Sequence, residues 1–308
     1  MAGNRDDLNC HEEDGNAIEL EKLSLGPDGS KKLLVLDLAG VLCDRVFHKN
    51  RANIPDNRTP DDASGSFFVY KRPFCEEFVR FCLERFDVGI WSSAKRLVEL
   101  HLPRSCLMSL LDAISIIQKF TRFSALNMRN RTNLETALDC VIGEFKGRLL
   151  FVWVGDQIRA YAIKIAFGYR YGRTEEALSL SLITKENKNK PIFFKELKKL
   201  WDNKSSNLPW RKGQYSSSNT LLIDDKPYKA LLNPPCTAIF PTEYRPDQLD
   251  DATLGPNGEL RRYLDGLARA ADVPAYVKEH PFGQSAITAT HPDWDFYSNI
   301  IDNSKGEE

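Results

Sequence analysis

The sequence predicts an α/β protein built on a parallel β-sheet with helices on both faces. Short apolar runs typical of buried strands recur along the 308-residue chain: LLVLDL from residue 33, DVGIW from residue 87, LLFVWV from residue 149 and TLLID from residue 220. Segments whose apolar residues recur at helical spacing separate them. Strands that alternate with helices favour a parallel sheet, because the connecting helices must cross from one end of the sheet to the other.

The elements follow in order from Lys31. LLVLDLAGVL is a continuous apolar run, typical of a strand buried on both faces. Residues 49–65 have the composition of a loop, and SFFVYKRP predicts a strand that must end at Pro73 because proline cannot continue a ladder. FCEEFVRFCLERF predicts a helix with Phe74, Phe78 and Phe81 at helical spacing. A small β insertion is expected over residues 45–70.

In the second half, LETALDCVIGEF and FFKELKKLW predict helices, and CTAIFP predicts a strand. Residues 203–218 are polar with little pattern, which indicates an exposed loop. From Gly258 onward we expect a helix, a short second helix, and then polar sequence with Trp294 and Phe296. These two aromatic residues are expected to dock on the core and not to bind a ligand.

Composition excludes several classes of function. The chain has 42 Lys and Arg against 43 Asp and Glu, so its charge gives no case for binding nucleic acid or an anionic membrane. No apolar run reaches the length of a membrane span. Residues 1–30 form an acidic segment that predicts a disordered leader, excludes a signal peptide and argues against an Arg-rich mitochondrial presequence. The seven cysteines show no ligand spacing, which indicates reduced thiols in the nucleus or cytoplasm, with the mitochondrion less favoured.

Carboxylates follow two of the predicted strands. Asp37 follows the first strand, and Asp224 and Asp225 follow the strand TLLI. In a parallel sheet, ligands bind outside the carboxyl ends of the strands, where an aspartate can act as a nucleophile or bind a hard metal ion. Aspartates also cap helices, so each of them singly has a structural explanation. Two such sites together favour the chemical interpretation.

Four segments, in order, resemble the motifs of the small CTD phosphatases and NLI-interacting-factor relatives in the haloacid-dehalogenase (HAD) superfamily. KKLLVLDLAGVL resembles motif I, and FFVYKRPFCEEFVRFCLERFDVGIWSSA resembles the segment through motif II. PIFFKELKKLW is similar to motif III, and NTLLIDDKPYKALLNPPCTAIFP to motif IV. The tail ELRRYLDGLARAADVPAYVKEHPFGQ is most similar to a plant-type branch. The resemblance covers about residues 31–93, 131–153 and 184–300.

The resemblance implies a HAD-like fold and a phosphoryl-transfer site holding Mg²⁺. Asp37 corresponds to the nucleophile that forms an aspartyl phosphate. Ser92 corresponds to the motif II hydroxyl, with Ser93 as the alternative. Lys195 corresponds to the motif III lysine, with Lys190 as the alternative. The implied metal ligands are Asp37, the backbone carbonyl of Ala39, and the motif IV pair Asp224 and Asp225, with Asp225 at the position of the direct ligand.

The chain departs from the family pattern at Ala39, where the family has the aspartate that protonates the leaving group and later activates water. Loss of a general acid–base group costs about 10²–10⁴-fold in rate. We therefore expect a monomeric, Mg²⁺-dependent, phosphoprotein-phosphatase-like domain whose activity is impaired. The alternative is an inactive protein-binding module on the same fold, such as the Tim-fifty type subunit of the mitochondrial inner-membrane translocase. Phosphonoacetaldehyde hydrolases also carry alanine here, but no cap-domain lysine is identifiable.

Residues 31–300 are expected to form one HAD-like domain. Residues 94–130 and 154–183 interrupt the resemblance, since NRTNLET would follow WSS directly in the family pattern. They are either true insertions or the result of an altered gene model, and the sequence leaves both open.

Overall fold

The computed structural model describes residues 31–50, 56–64, 67–92, 135–154, 183–184, 187–191, 193–203 and 208–305. The expected leader, residues 94–130 and nearly all of 154–183 lie outside these ranges. The strands are β1 (Lys32–Leu36), β2 (Cys43–Phe47), β3 (Asp62–Ser64), β4 (Phe67–Lys71), β5 (Phe86–Ser92), β6 (Phe151–Val154), β7 (Ile183–Thr184), β8 (Asn187–Pro191), β9 (Thr220–Ile223) and β10 (Ala238–Ile239). The helices are α1 (Cys75–Arg85), α2 (135–142), α3 (Lys198–Trp201), α4 (Glu259–Arg269), α5 (Val273–Glu279) and α6 (Trp294–Lys305). Short 3₁₀ turns cover Gly143–Arg148, Ser217–Asn219 and Pro227–Ala230.

The central sheet has five parallel strands in the order β10-β9-β1-β5-β6. β1 lies in the middle, with β9 on one side and β5 on the other. The carboxyl ends of these three strands therefore meet at one edge. The predicted fold class, an α/β protein with a parallel central sheet, is confirmed.

Both faces of the sheet are covered, because side chains alternate along a strand. Leu34 and Leu36 of β1 point to one face, where the apolar sides of α1, α2 and α4 form the larger core. Leu33 and Val35 point to the other face, where Leu197, Leu200, Leu208, Trp210 and Tyr215 pack. Continuous burial of Lys32–Leu36 follows from this double cover and explains the unbroken apolar run in the sequence.

The predicted β insertion is a three-stranded antiparallel sheet in the order β2-β4-β3. It rejoins the body at Arg72, whose backbone N donates to the carbonyl of Leu42 at 3.0 Å. The Arg72 guanidinium also donates to the carbonyl of Val41 at 3.2 Å and pairs with Asp251 at 2.7 Å. These bonds fix the loop that follows β1, which carries the candidate site.

Three local predictions were wrong: those for Phe74, for residues 203–218 and for the segment FFKELKKLW. Phe74 does not join the buried face of α1: it precedes the helix with a φ of 63° and is exposed. Residues 203–218 are not simply an exposed loop, because Leu208, Trp210 and Tyr215 are buried in the second core. The hydroxyl of Tyr215 donates to Asp87 at 2.6 Å. These three large side chains lie in a polar stretch without a periodic pattern, so the sequence did not indicate that they would be buried.

The segment FFKELKKLW is helical only over α3, Lys198–Trp201. Before it, the chain is held by the loop that follows β9. The backbone N of Lys195 donates to the carbonyl of Lys229 at 2.7 Å, and the backbone N of Leu197 donates to Asn233 Oδ1 at 2.8 Å. Asn233 Nδ2 donates in return to the carbonyl of Lys195 at 2.8 Å. Tertiary hydrogen bonds replace the helical ones in this segment.

The C-terminal aromatic residues dock on the core, as predicted. Trp294 and Phe296 lie in α6 and pack in a small cluster with Tyr228, Tyr297 and Ile300. Within the part of the chain that the structure describes, none of the helices combines the length and apolarity needed to cross a membrane. The five cysteines among the described residues are free thiols.

Candidate functional site

Three buried aspartates meet at the carboxyl edge of the central sheet. Asp37 follows β1, and Asp224 and Asp225 follow the neighbouring β9. The two strand ends are joined by a hydrogen bond of 2.9 Å from the backbone N of Asp37 to the carbonyl of Ile223. One carboxylate oxygen from each aspartate lies within 4.8 Å of the others. The structure thus brings together the strand-end carboxylates that the sequence singled out.

The Asp37 carboxylate is held from two sides. Oδ1 accepts a hydrogen bond of 2.8 Å from the backbone N of Leu38. Oδ2 faces the ammonium group of Lys195 at 3.1 Å and also that of Lys229. The Asp37 side chain is only 1% exposed. Because the carboxylate is withdrawn from water, these bonds satisfy its oxygens and fix its orientation.

Lys195 lies where the motif III lysine was predicted. Its side chain is fully buried, and Nζ donates to Asp224 Oδ2 at 2.6 Å in addition to its contact with Asp37. One ammonium group therefore bridges the carboxylates that follow β1 and β9. The alternative, Lys190, falls within β8.

A second buried lysine, Lys229, was missed by the sequence analysis. It lies in the 3₁₀ turn Pro227–Ala230, and its Nζ pairs with Asp37 Oδ2, with Asp224 Oδ1 at 2.9 Å and with Asp225 Oδ1 at 3.5 Å. Burial alone would lower the pKa of Lys229, but the charges of Asp224, Asp37 and Asp225 outweigh it and raise the pKa well above its ordinary value. Its spacing, four residues after Asp225, places it in the turn that follows β9 but does not distinguish a buried lysine from an exposed one.

A third lysine stands at the rim of the site. Lys226 Nζ contacts Asp225 Oδ2 at 3.1 Å and Glu243 at 2.8 Å, and its side chain is 32% exposed. Its backbone N donates to Asp224 Oδ1 at 2.9 Å. Lys226 therefore shares its charge between the site and a partly exposed glutamate.

The loop after β1 passes against Asp225 at Gly40. Gly40 has a φ of +86°, and a Cβ atom there would lie 2.5 Å from Asp225 Cγ. Its backbone carbonyl accepts a hydrogen bond of 2.9 Å from the backbone N of Tyr244. Any larger residue would displace the Asp225 carboxylate, so the sequence Ala39-Gly40 holds the loop close to the second strand end.

The remaining predicted residues lie at the same edge. Ser92 is the last residue of β5 and is buried; since Leu36 pairs with Ile90, Ser92 lies at the edge beside Asp37. Ala39 follows Asp37 by two residues and forms an isolated bridge with Cys43. Ser93 lies outside the described residues.

The oxygen donors suit a divalent cation such as Mg²⁺, which binds carboxylates and backbone carbonyls. Three buried carboxylates carry a charge of −3, and the ammonium groups of Lys195 and Lys229 supply +2. These five groups together therefore leave an excess of negative charge. Lys226 lies beside them, but its positive charge is partly neutralised by Glu243. Asp37, Asp225 and the carbonyl of Ala39 are the groups that would hold the ion.

A family model matches residues 32–100, described as NLI interacting factor-like phosphatase. This part of the chain is similar to that family. The predicted resemblance is confirmed there. The matched range runs from β1 through β5 and includes Asp37, Ala39 and Ser92. The motif III and motif IV segments lie beyond it, so their assignment rests on the geometry of the site.

Solved structures of RNA polymerase II CTD phosphatases are also similar to this chain. One is an arginine-to-alanine variant of fission yeast Fcp1 bound to beryllium fluoride, with a TM-score of 0.30, and another is Fcp1 described as an essential CTD phosphatase, with a TM-score of 0.31. Both are 12% identical, and each match covers 94% of this chain and 65% of the other. The chain thus spans about two thirds of those structures at most. No curated protein sequence matches it.

Proposed function

We propose that this chain is a Mg²⁺-dependent phosphatase-like domain that transfers a phosphoryl group to Asp37 and releases it slowly. The proposed substrate is a phosphoprotein, and we propose that the domain acts as a monomer in the nucleus or cytoplasm. The observation that carries the proposal is the Asp37 carboxylate itself. It stands at the end of the central strand, in a family that matches over this segment, and two ammonium groups adjoin it.

In the first step, a carboxylate oxygen of Asp37 would attack phosphorus, and the bond between phosphorus and the ester oxygen would break. The products are an aspartyl phosphate and the free alkoxide or aryloxide. In the second step, water would attack the same phosphorus and lose a proton to solvent, and the bond between phosphorus and the Asp37 oxygen would break, which releases inorganic phosphate and the Asp37 carboxylate. Asp37 is thereby regenerated, and no net redox change occurs.

The lysines would supply positive charge where negative charge develops. Lys195 and Lys229 reach the Asp37 carboxylate from the side of Asp224 and would stabilise the phosphoryl oxygens by electrostatic attraction. Ser92, at the adjoining strand end, would donate a hydrogen bond to a phosphoryl oxygen. A bound Mg²⁺ would neutralise charge on the phosphoryl group and orient it. Asp37, Asp225 and the carbonyl of Ala39 would hold that ion.

Ala39 limits this chemistry because its methyl group cannot carry a proton. An alkoxide leaving group needs protonation, whereas an aryloxide leaves without it. The domain would therefore cleave aryl phosphates slowly and alkyl phosphates more slowly still. The expected deficit is about 10²–10⁴-fold, the range supplied by a general acid.

The experiment is a phosphatase assay on the full chain with Mg²⁺, comparing an aryl phosphate with a phosphoserine peptide. We expect weak turnover of the aryl phosphate that disappears in Asp37→Asn. Turnover that survives in Asp37→Asn would belong to another site or a contaminant and would overturn the proposal.

The burial of the site favours a second candidate function, a binding module without turnover. Asp37 and Asp224 are at most 1% exposed, and each is already paired with lysine. In this candidate function, the site stabilises the fold and takes no part in catalysis. A protein partner binds to the surface of the domain. Two observations would favour this candidate: no turnover in any background, and recovery of the protein with isolated mitochondria, which would fit the translocase type.

A further inference from the structure

Lys229 contacts all three carboxylates of the site. Its Nζ pairs with Asp37 Oδ2, with Asp224 Oδ1 at 2.9 Å and with Asp225 Oδ1 at 3.5 Å. By contrast, Lys195 contacts Asp37 and Asp224, and Lys226 contacts Asp225 and Glu243. Among the described residues, Lys229 thus stands at the centre of the triad.

We propose that Lys229 is a built-in cation that competes with Mg²⁺ for the carboxylates of Asp37 and Asp225. The inference rests on the proposed function only in taking these carboxylates as the metal ligands. An ammonium group and a Mg²⁺ ion both bind carboxylate oxygen, but Mg²⁺ needs its ligands at about 2.0–2.1 Å and in near-octahedral geometry. A Mg²⁺ ion bound to the oxygens of Asp37 and Asp225 that point at Lys229 would meet the positive charge of this lysine at close range.

The burial of Lys229 makes this competition strong. Its side chain is only 6% exposed, so in its present position the ammonium group has little contact with water. The turn around it is also fixed. The carbonyl of Lys229 accepts from the backbone N of Lys195 at 2.7 Å, and Tyr228 packs against Tyr297 of α6. A divalent ion must therefore either displace a held lysine or bind beside its positive charge.

The consequence is a weakened response to metal. Removing the charge of Lys229 should strengthen Mg²⁺ binding by at least about tenfold, because charges a few ångströms apart in a desolvated site interact strongly. In the natural chain, the lysine itself holds the three carboxylates together without metal. Mg²⁺ then adds to a site that is already assembled.

The test measures Mg²⁺ binding to the full chain by isothermal titration calorimetry in Lys229→Met and Lys229→Gln. Lys226→Met is the matched control, since it removes the same charge and also contacts Asp225, but it is partly exposed and does not contact Asp37. We expect the Kd for Mg²⁺ to fall at least about tenfold in the Lys229 variants and less than about threefold in the control. An unchanged Kd in the Lys229 variants, or an equal gain in the control, would overturn the proposal.

The Lys229 variants remove one positive charge from beside three buried carboxylates, so their stability without metal is informative too. If they unfold without metal but fold in millimolar Mg²⁺, the ion replaces the lysine and the inference is supported. If neither variant folds at any Mg²⁺ concentration, the lysine has a role that the ion cannot fill, and the inference is wrong. Calorimetry requires no turnover, so an inactive protein refutes the proposed enzymatic function without touching this result.

Discussion

Replacing Asp224 with asparagine should strongly destabilise the protein, because Asp224 joins two buried lysines. Its Oδ2 accepts from Lys195 at 2.6 Å, its Oδ1 accepts from Lys229 at 2.9 Å, and its side chain is fully buried. The amide of the substituted side chain would keep the shape but place an NH₂ group against an ammonium group. Removing one partner of a buried ion pair costs about 3–5 kcal/mol.

The expected change in Tm follows from the loss in the free energy of unfolding. Each kcal/mol lowers Tm by about 2–4 °C in a domain of roughly 150–250 residues, so Asp224→Asn should lower Tm by roughly 6–20 °C. Differential scanning calorimetry without added metal measures this directly. The measurement should be made at neutral pH and moderate salt, where surface charges are screened.

Asp265→Asn is the matched control for this experiment. Asp265 also pairs with two cations, Arg85 at 3.1 Å and Arg269, but its side chain is 31% exposed. Exposed ion pairs contribute about 0–1 kcal/mol, so this variant should lose less than about 4 °C. Equal losses in Asp224→Asn and Asp265→Asn would refute the claim that the buried charge cluster holds this edge of the sheet together.

Two further predictions concern metal and pH. Mg²⁺ should raise the Tm of the natural chain by binding the folded state, and Asp225→Ala should abolish that rise; an equal rise in both proteins would remove Asp225 from the metal site. Burial would raise the pKa of Asp251, but its bonds with Arg72 outweigh this and lower the pKa below its ordinary value. The pair therefore stabilises the protein above about pH 4 and loses this effect as pH falls further. Asp251→Asn should reduce the loss of urea-unfolding stability as the pH falls below about 4, and an unchanged slope of stability against pH would contradict the assignment.

The parallel sheet and its carboxylates could be predicted because they leave local signals. Lys32–Leu36 is buried on both faces and so reads as an unbroken apolar run. Asp37 and Asp224 directly follow strands that are adjacent in the sheet, which places them together whatever the loops do. These relations depend on strand order and not on the details of side-chain packing.

Lys229 and the segment before α3 could not be predicted, since long-range contacts decide both. A lysine in the sequence KPYKALL has no local signal that separates a buried counterion from a solvated surface charge. Likewise, FFKELKKLW has helical spacing, yet the hydrogen bonds of Lys195 and Leu197 go to Lys229 and Asn233. Trp210 and Tyr215 were missed for the same reason, because single large residues within polar sequence pack across the sheet face.

Ala39→Asp tests the central claim most directly, because it restores the one group that the proposed phosphatase site lacks. Turnover of a phosphoserine peptide and an aryl phosphate should be measured with Mg²⁺ in the natural chain, in Ala39→Asp, and in each combined with Asp37→Asn. The account predicts a gain of roughly 10²-fold or more on the peptide, a smaller gain on the aryl phosphate, and no activity in either background once Asp37→Asn is present. Absence of any gain from Ala39→Asp, in a variant that is folded and binds Mg²⁺, would contradict the account and favour the binding module.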